Sequence, residues 1–191
     1  MSKIPLSVPS LKGNELKYLK ECVDTEWVSS GGKYVNTFED NISKLTGSKY
    51  SIACVNGTSA LQISLKLAGV KQGDEVIVST LTFIASINSI AYNGAVPIFM
   101  DADKYYNIDI EKTIDFIENE TFFLNGFTYN KVSKKRISAI MPVHVWGNAV
   151  NLELLLPLCE ERNIKVVEDA SESLGTYYTS GINRNKPFFL G

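Results

Sequence analysis

Histidine and cysteine are scarce in this 191-residue chain: there is one histidine, His144, and there are three cysteines, Cys22, Cys54 and Cys159. No two cysteines lie close together in sequence, so a structural zinc site is not expected. Three is an odd number and each cysteine sits in an apolar segment. Buried free thiols in a reducing compartment, hence a cytoplasmic location, are the expectation. Long apolar runs are lacking as well. Asn, Lys or Glu interrupts every stretch before it reaches membrane-span length. The start, Met1-Ser2-Lys3-Ile4-Pro5, has no apolar signal core behind its lysine, so secretion is not expected. Charge of one sign is lacking too: 19 basic and 21 acidic residues leave a net charge of −2. Composition therefore makes no case for a nucleic-acid or anionic-membrane partner. The densest basic cluster, residues 131–136, reads as a solvated loop. No G-x-x-x-x-G-K-[ST], G-x-G-x-x-G or G-x-S-x-G stretch occurs, which excludes the P-loop, the common dinucleotide fingerprint and the hydrolase elbow. There is no internal repeat.

What is present is an alternation of strand and helix patterns. Residues 14–25 read as a helix with Leu16, Leu19, Cys22 and Val23 on its inner face. A loop, Trp27-Val28-Ser29-Ser30-Gly31-Gly32, breaks the pattern, and a second helix spans 34–46 with Val35, Phe38, Ile42 and Leu45 in helical spacing. From residue 50 the chain reads strand 50–55, helix 60–68, strand 75–79, helix 82–93 and strand 96–100. Asp109 caps a further helix. Residues 121–136 read as an excursion, with a short hairpin turning at Asn125-Gly126. Strand 137–143, a helix capped by Asn151 and running to 161, and strand 164–167 complete the order, and residues 177–191 lose all periodicity. Strands separated by helices predict an α/β fold: three layers, with a mostly parallel sheet flanked by helices.

Ligands in such sheets bind beyond the carboxyl ends of the strands. The segments that matter are therefore 56–59, 80–83, 101–103, 144–148 and 169–172. Asn56-Gly57-Thr58-Ser59 stands where a strand ends and a helix begins. It is a good turn and cap, and also a place where free N–H groups and a helix dipole can hold a phosphate. Phe83 could pack in the core or cover a planar ring. Asp169 could cap a helix or stand as a buried carboxylate facing a cation. His144 has no Ser or Cys nucleophile beside it and reads first as a satisfied polar group at a strand end. A phosphate cradle, an aromatic plate and an acidic strand end together suit pyridoxal phosphate.

Six ordered motifs carry a resemblance over most of the chain: Trp27-Val28-Ser29-Ser30-Gly31-Gly32-Lys33-Tyr34-Val35, Asn56-Gly57-Thr58-Ser59-Ala60-Leu61, Gly73-Asp74-Glu75-Val76-Ile77, Thr82-Phe83-Ile84-Ala85, Pro142-Val143-His144-Val145-Trp146-Gly147 and Glu168-Asp169-Ala170-Ser171-Glu172-Ser173-Leu174-Gly175. The sequence resembles the DegT/DnrJ/EryC1/StrS sugar aminotransferases, fold type I enzymes that use pyridoxal 5'-phosphate and pyridoxamine 5'-phosphate. It looks most like the LegC-type subgroup. That resemblance implies amination of a UDP-linked 4-keto-6-deoxy-N-acetylhexosamine with glutamate as donor, in surface glycan synthesis, by a homodimer. It also implies roles. Gly57, Thr58 and Ser59 hold the phosphate, Phe83 stacks on the ring and Asp169 pairs with the ring nitrogen. Glu172 stands where many relatives have Gln or His near the ring hydroxyl. Ser29, Ser30 and His144 lie on the substrate side.

The family's Schiff-base lysine lies in a Ser-Phe-x-x-x-Lys stretch, which this sequence does not contain. Lys186 has no Ser-Phe before it and Pro187 after it, so it does not take that place. The expectation is a partial cofactor-binding large domain over 1–178 and an irregular tail over 179–191, without the rest of that domain or the small domain. A truncated product inactive by itself follows from that reading. Two alternatives are a relative that dehydrates rather than aminates the keto sugar, and a flavodoxin-like binding module suggested by Asp101 and Asp103.

Overall fold

A computed structural model describes residues 4–5 and 8–178. Helices α1 (Glu15–Asp24), α2 (Lys33–Thr46) and α3 (Gly57–Leu67) precede strand β1 (Glu75–Ser79), helix α4 (Ile84–Tyr92) and strand β2 (Val96–Met100). Helix α5 (Ile110–Asn119) leads into β3 (Thr121–Leu124), β4 (Phe127–Asn130) and β5 (Arg136–Met141). Helix α6 (Leu155–Glu161) and strand β6 (Lys165–Val166) follow. The sheet order is β2-β1-β5-β4-β3, with β6 also pairing β5. Strands β1, β2, β5 and β6 pair in parallel, as the alternation requires. The hairpin pairs antiparallel and joins the same sheet through β4 and β5, so the sheet is mixed. Asn125 and Gly126 both take positive φ at its turn.

Three layers result from the pleat of β1 and β5. Val76, Val78, Ala139 and Met141 face one way, against Leu61, Leu65 and Ile90 of α3 and α4. Ile77, Ile137 and Ile140 face the other way, against Ile117, Leu155 and Cys159 of α5 and α6. Fully burying each of these isoleucines stabilises the fold by roughly 1.5–3 kcal/mol, so both faces hold the sheet. Asp109 caps α5 by accepting from the Lys112 N–H at 3.1 Å.

Burial settles the state of one thiol. Cys159 is 2% exposed, and burial pushes its pKa up from 9.0 to about 12. The reactive species is the thiolate. Iodoacetamide at pH 8 is expected to label Cys22 and Cys54, both half-buried, and to spare Cys159 until the chain unfolds. Peptide mapping checks this. Above the ordinary thiol value the folded chain binds more protons than the unfolded one, so this group lowers stability as pH rises from 9.0 toward 12.

Several elements differ from the sequence expectation. Residues 50–55 form no strand. A strand exists only in a ladder, and among the described residues nothing pairs with this segment. Its backbone is instead met by the Glu39 carboxylate, which accepts from the Ala53 N–H at 2.7 Å. The apolar face of α1 is not an inner face: Leu16, Leu19 and Val23 are exposed. This helix meets α2 through Glu21, which accepts from Lys33 Nζ at 2.9 Å and Tyr34 Oη at 2.5 Å. Helix α6 begins at Leu155, while Asn151 closes only a turn by accepting from the Glu153 N–H. Strand β6 keeps two residues. The basic cluster at 131–136 is a solvated loop in its lysines but not in Arg136, whose side chain lies against Asp74. Residues 179–191, including Lys186, fall outside the described residues.

Candidate functional site

A cavity of about 420 Å³ opens beyond the carboxyl ends of β1, β5 and β6. Its walls are the loop after β1 (Leu81, Thr82, Phe83), the loop after β5 (Val143 to Trp146) and the segment after β6 (Asp169, Ser171, Glu172). Parallel pairing places these three loops side by side. An isolated parallel bridge between Val143 and Asp169 carries the β5–β6 alignment past the last regular strand residue.

Asp169 is 5% exposed. Its Oδ2 accepts from Ser86 Oγ at 2.6 Å, and its Oδ1 accepts from Ser171 Oγ at 2.6 Å and from the Ser171 N–H at 3.2 Å. Ser86 gives its one hydroxyl proton to the carboxylate. Thr82 must therefore be the donor in the 2.9 Å contact between the Thr82 and Ser86 hydroxyls. All three groups on Asp169 are neutral. Among the described residues, no lysine, arginine or histidine forms an ion pair with it. Held by neutral donors alone among the described residues, this buried carboxylate is free to take a cationic partner.

Phe83 is the N-cap residue of α4 and is 77% exposed on the rim. Core packing is thereby excluded for it, and a planar ligand is what its face can cover. Trp146 is also exposed and meets Tyr106 edge-on, with ring centroids 4.8 Å apart. The Trp146 N–H donates to Glu172 Oε2 at 2.8 Å. That bond needs a tight corner, supplied by Trp146 at φ 54° and Gly147 at φ 81°. A Cβ on Gly147 would stand 3.1 Å from the Glu172 carbonyl oxygen. Gly147→Ala is expected to cost about 1–2 kcal/mol, read by thermal unfolding.

Helix α3 begins behind this wall. Asn56 is its N-cap, and Asn56 Oδ1 accepts from the Ser59 N–H at 2.9 Å. The cap thus uses the amide of Ser59. The amides of Gly57 and Thr58 are left without an intrahelical acceptor, as in any first turn. A Cβ built on Gly57 would lie 3.5 Å from Ser171 Oγ. The helix start therefore abuts the side chain that holds Asp169.

Phe83, Asp169, Glu172 and His144 thus border one cavity, and Gly57 lies against Ser171 of its wall, while Gly57, Thr58 and Ser59 do not themselves line it. Ser29 and Ser30 are not part of this group. Ser29 lines a second cavity with Glu21, Trp27 and Lys33, between α1 and α2, and Ser30 borders neither cavity. His144 borders the first cavity, but its side chain is fully buried, so it presents no ring atom to a substrate. Asp101 and Asp103 serve their own surroundings: Asp101 pairs with Lys112, and Asp103 Oδ1 accepts from the Tyr105 and Asn107 amides. Sequence reasoning missed Ser86, a serine on the apolar side of α4. Its signal was faint: a lone hydroxyl between Ile84 and Ile87.

The architecture is that of the aminotransferases. Among solved structures, an aminotransferase from Psychrobacter cryohalolentis superposes with a TM-score of 0.75 at 31% identity, covering 92% of this chain and 41% of that one. NtdA from Bacillus subtilis, with bound cofactor PMP, superposes with a TM-score of 0.68 at 28% identity, covering 84% and 33%. The chain belongs to the DegT/DnrJ/EryC1/StrS aminotransferase family, whose sequence model matches residues 9–184. Over 178 residues it is 38% identical to GDP-perosamine synthase of Escherichia coli O157:H7, covering 93% of this chain. It is 30% identical over 175 residues to spore coat polysaccharide biosynthesis protein SpsC of Bacillus subtilis. The chain spans 45% of the length of that GDP-perosamine synthase and 41% of SpsC. No helix among the described residues is long and apolar enough to cross a membrane.

Proposed function

We propose that this chain forms the cofactor-holding part of a sugar aminotransferase. The cofactor is pyridoxal or pyridoxamine 5'-phosphate, the acceptor a nucleotide-linked 4-keto-6-deoxy sugar and the donor glutamate. The observation that carries this is Asp169, a buried carboxylate with no cationic partner among the described residues, in an aromatic-rimmed cavity against a helix start. The residues present fit the cofactor. When bound, its protonated ring supplies an electron sink for the carbon that loses a proton. Asp169 holds the proton on the ring nitrogen, because a desolvated anion favours the charged form of its partner. Gly57 and Thr58 offer amides, and Thr58 and Ser59 offer hydroxyls, to the phosphate. Phe83 covers one ring face and keeps water from it. Glu172, fixed by the Trp146 amide, keeps Oε1 to accept from a polar group on the ring.

The nucleotide is the finer part of the reading. Resemblance to the LegC type favours a UDP-linked N-acetylhexosamine, while the likeness to GDP-perosamine synthase favours a GDP-linked sugar. A homodimer fits the uncovered apolar face of α1. Calorimetry with pyridoxamine phosphate is the test, and one-to-one binding is expected. Absence of binding would sink the proposal. Assay of the whole protein with glutamate and either UDP- or GDP-linked 4-keto-6-deoxy sugar then decides the acceptor.

A further inference from the structure

His144 is the chain's single histidine, and both of its ring nitrogens are already engaged. The Val150 N–H donates to Nδ1 at 3.0 Å. Nδ1 therefore presents a lone pair, and the ring's one proton sits on Nε2. That proton is donated to Glu168 Oε2 at 2.9 Å. An imidazolium would bring a second N–H against the amide of Val150, so the contact with Glu168 is a hydrogen bond of a neutral ring rather than an ion pair. The main chain of the same residue makes two more links. Its N–H donates to the Asp169 carbonyl at 3.2 Å, and its carbonyl accepts from the Gly147 N–H at 3.2 Å. Val150 is held from its other side as well, since Tyr178 Oη donates to its carbonyl at 2.5 Å.

These links converge on two site residues. The segment after β6 carries Glu168 and Asp169. The corner at residues 145–147 carries the amide that fixes Glu172. We propose that His144 is a positioning residue: a neutral Nε2–H imidazole that ties the loop after β5 to the Glu168-Asp169 segment, and so sets Asp169 and Glu172 at the cavity wall. It exchanges no proton with substrate. Both nitrogens face protein groups, and no part of the side chain reaches the cavity.

The binding arm of the test rests on the cofactor reading above, and the spectroscopic arm does not. A single histidine makes the spectrum unambiguous. Protein labelled with 15N-histidine is expected to show the neutral Nε2–H tautomer at neutral pH. An Nδ1–H ring or an imidazolium would overturn the proposal. His144→Phe keeps the bulk and removes both bonds, so the dissociation constant for pyridoxamine phosphate is expected to rise about tenfold. His144→Asn restores an acceptor for Val150 and is expected to bring affinity back to within about threefold. A His144→Phe protein that melts earlier yet binds as tightly as the parent shows a role in folding alone and rejects the proposal. Should His144→Phe fail to fold, His144→Asn and the nitrogen spectrum decide. Should the parent itself bind no pyridoxamine phosphate, the cofactor reading fails, and the spectrum still judges the tautomer.

Discussion

Asp169→Asn is expected to weaken pyridoxamine phosphate binding by about 100-fold, while the ligand-free protein melts no earlier than the parent. The two halves have one cause. The carboxylate is buried, accepts from Ser86 and Ser171, and has no cationic partner among the described residues. In the empty protein that charge is a cost, because neutral donors only partly replace water around an anion. An asparagine of the same shape keeps an acceptor for one serine and turns a donor toward the other, whose hydroxyl rotates to accept. Both serine contacts survive, and a buried charge is gone. With the cofactor bound the sign reverses, since a protonated ring nitrogen would face an amide in place of an anion. Calorimetric affinity and a thermal melt on the same preparation check both halves. Unchanged affinity would remove Asp169 from the site.

Arg136→Met is expected to lower stability by about 3 kcal/mol and leave the cofactor affinity of the folded protein unchanged. Arg136 opens β5 and Asp74 stands just before β1, so their pair clamps two central strands at the end opposite the cavity. Nε donates to Asp74 Oδ1 at 3.1 Å, Nη2 donates to Asp74 Oδ2, and Nη2 also donates to the Gly69 carbonyl at 2.7 Å. The side chains are 20% and 11% exposed, so water screens the pair little. Among the described residues, removing the guanidinium leaves the Asp74 carboxylate with only the Lys71 amide, at 2.8 Å. The double variant Arg136→Met with Asp74→Leu is expected to lose less than Arg136→Met alone, because no charge is stranded. Urea unfolding of the three proteins measures the difference. Equal losses in the single and double variants would show that a stranded charge is not the cause.

How much of this was legible in the sequence depended on how local each cause is. Strands β1 and β2 match their predicted spans, since β-branched runs bounded by turn residues carry their own signal. The Asp109 cap and the Asn125-Gly126 turn are equally local. Residues 50–55 carried the same kind of signal and form no strand, because a ladder needs a neighbour that lies elsewhere in the chain. Helix α1 shows the same limit in another form. Its periodicity defines an apolar face but not what covers it, and Leu16 and Leu19 are exposed. Arg136 was hidden in a lysine cluster because composition cannot tell a solvated cation from one laid against Asp74.

The candidate site divides in the same way. By itself, the sequence determined that a Gly-Thr-Ser stretch begins a helix, that an aromatic follows β1 and that an acid follows β6, because each depends on residues within one turn or one strand. It also determined the family, through the order of those motifs. Only the tertiary structure decided which strand ends are neighbours, and so which of these residues share a cavity. Parallel pairing of β1, β5 and β6 brought Phe83 and Asp169 to the same wall and left Ser29 in another cavity. Only the tertiary structure revealed Ser86 beneath Asp169, 83 residues away in sequence. It also decided the state of His144, since the two groups that assign its tautomer come from Val150 and Glu168. Hydrogen bonds between distant segments exist only once the layers have packed, and no pattern along the chain encodes them in advance.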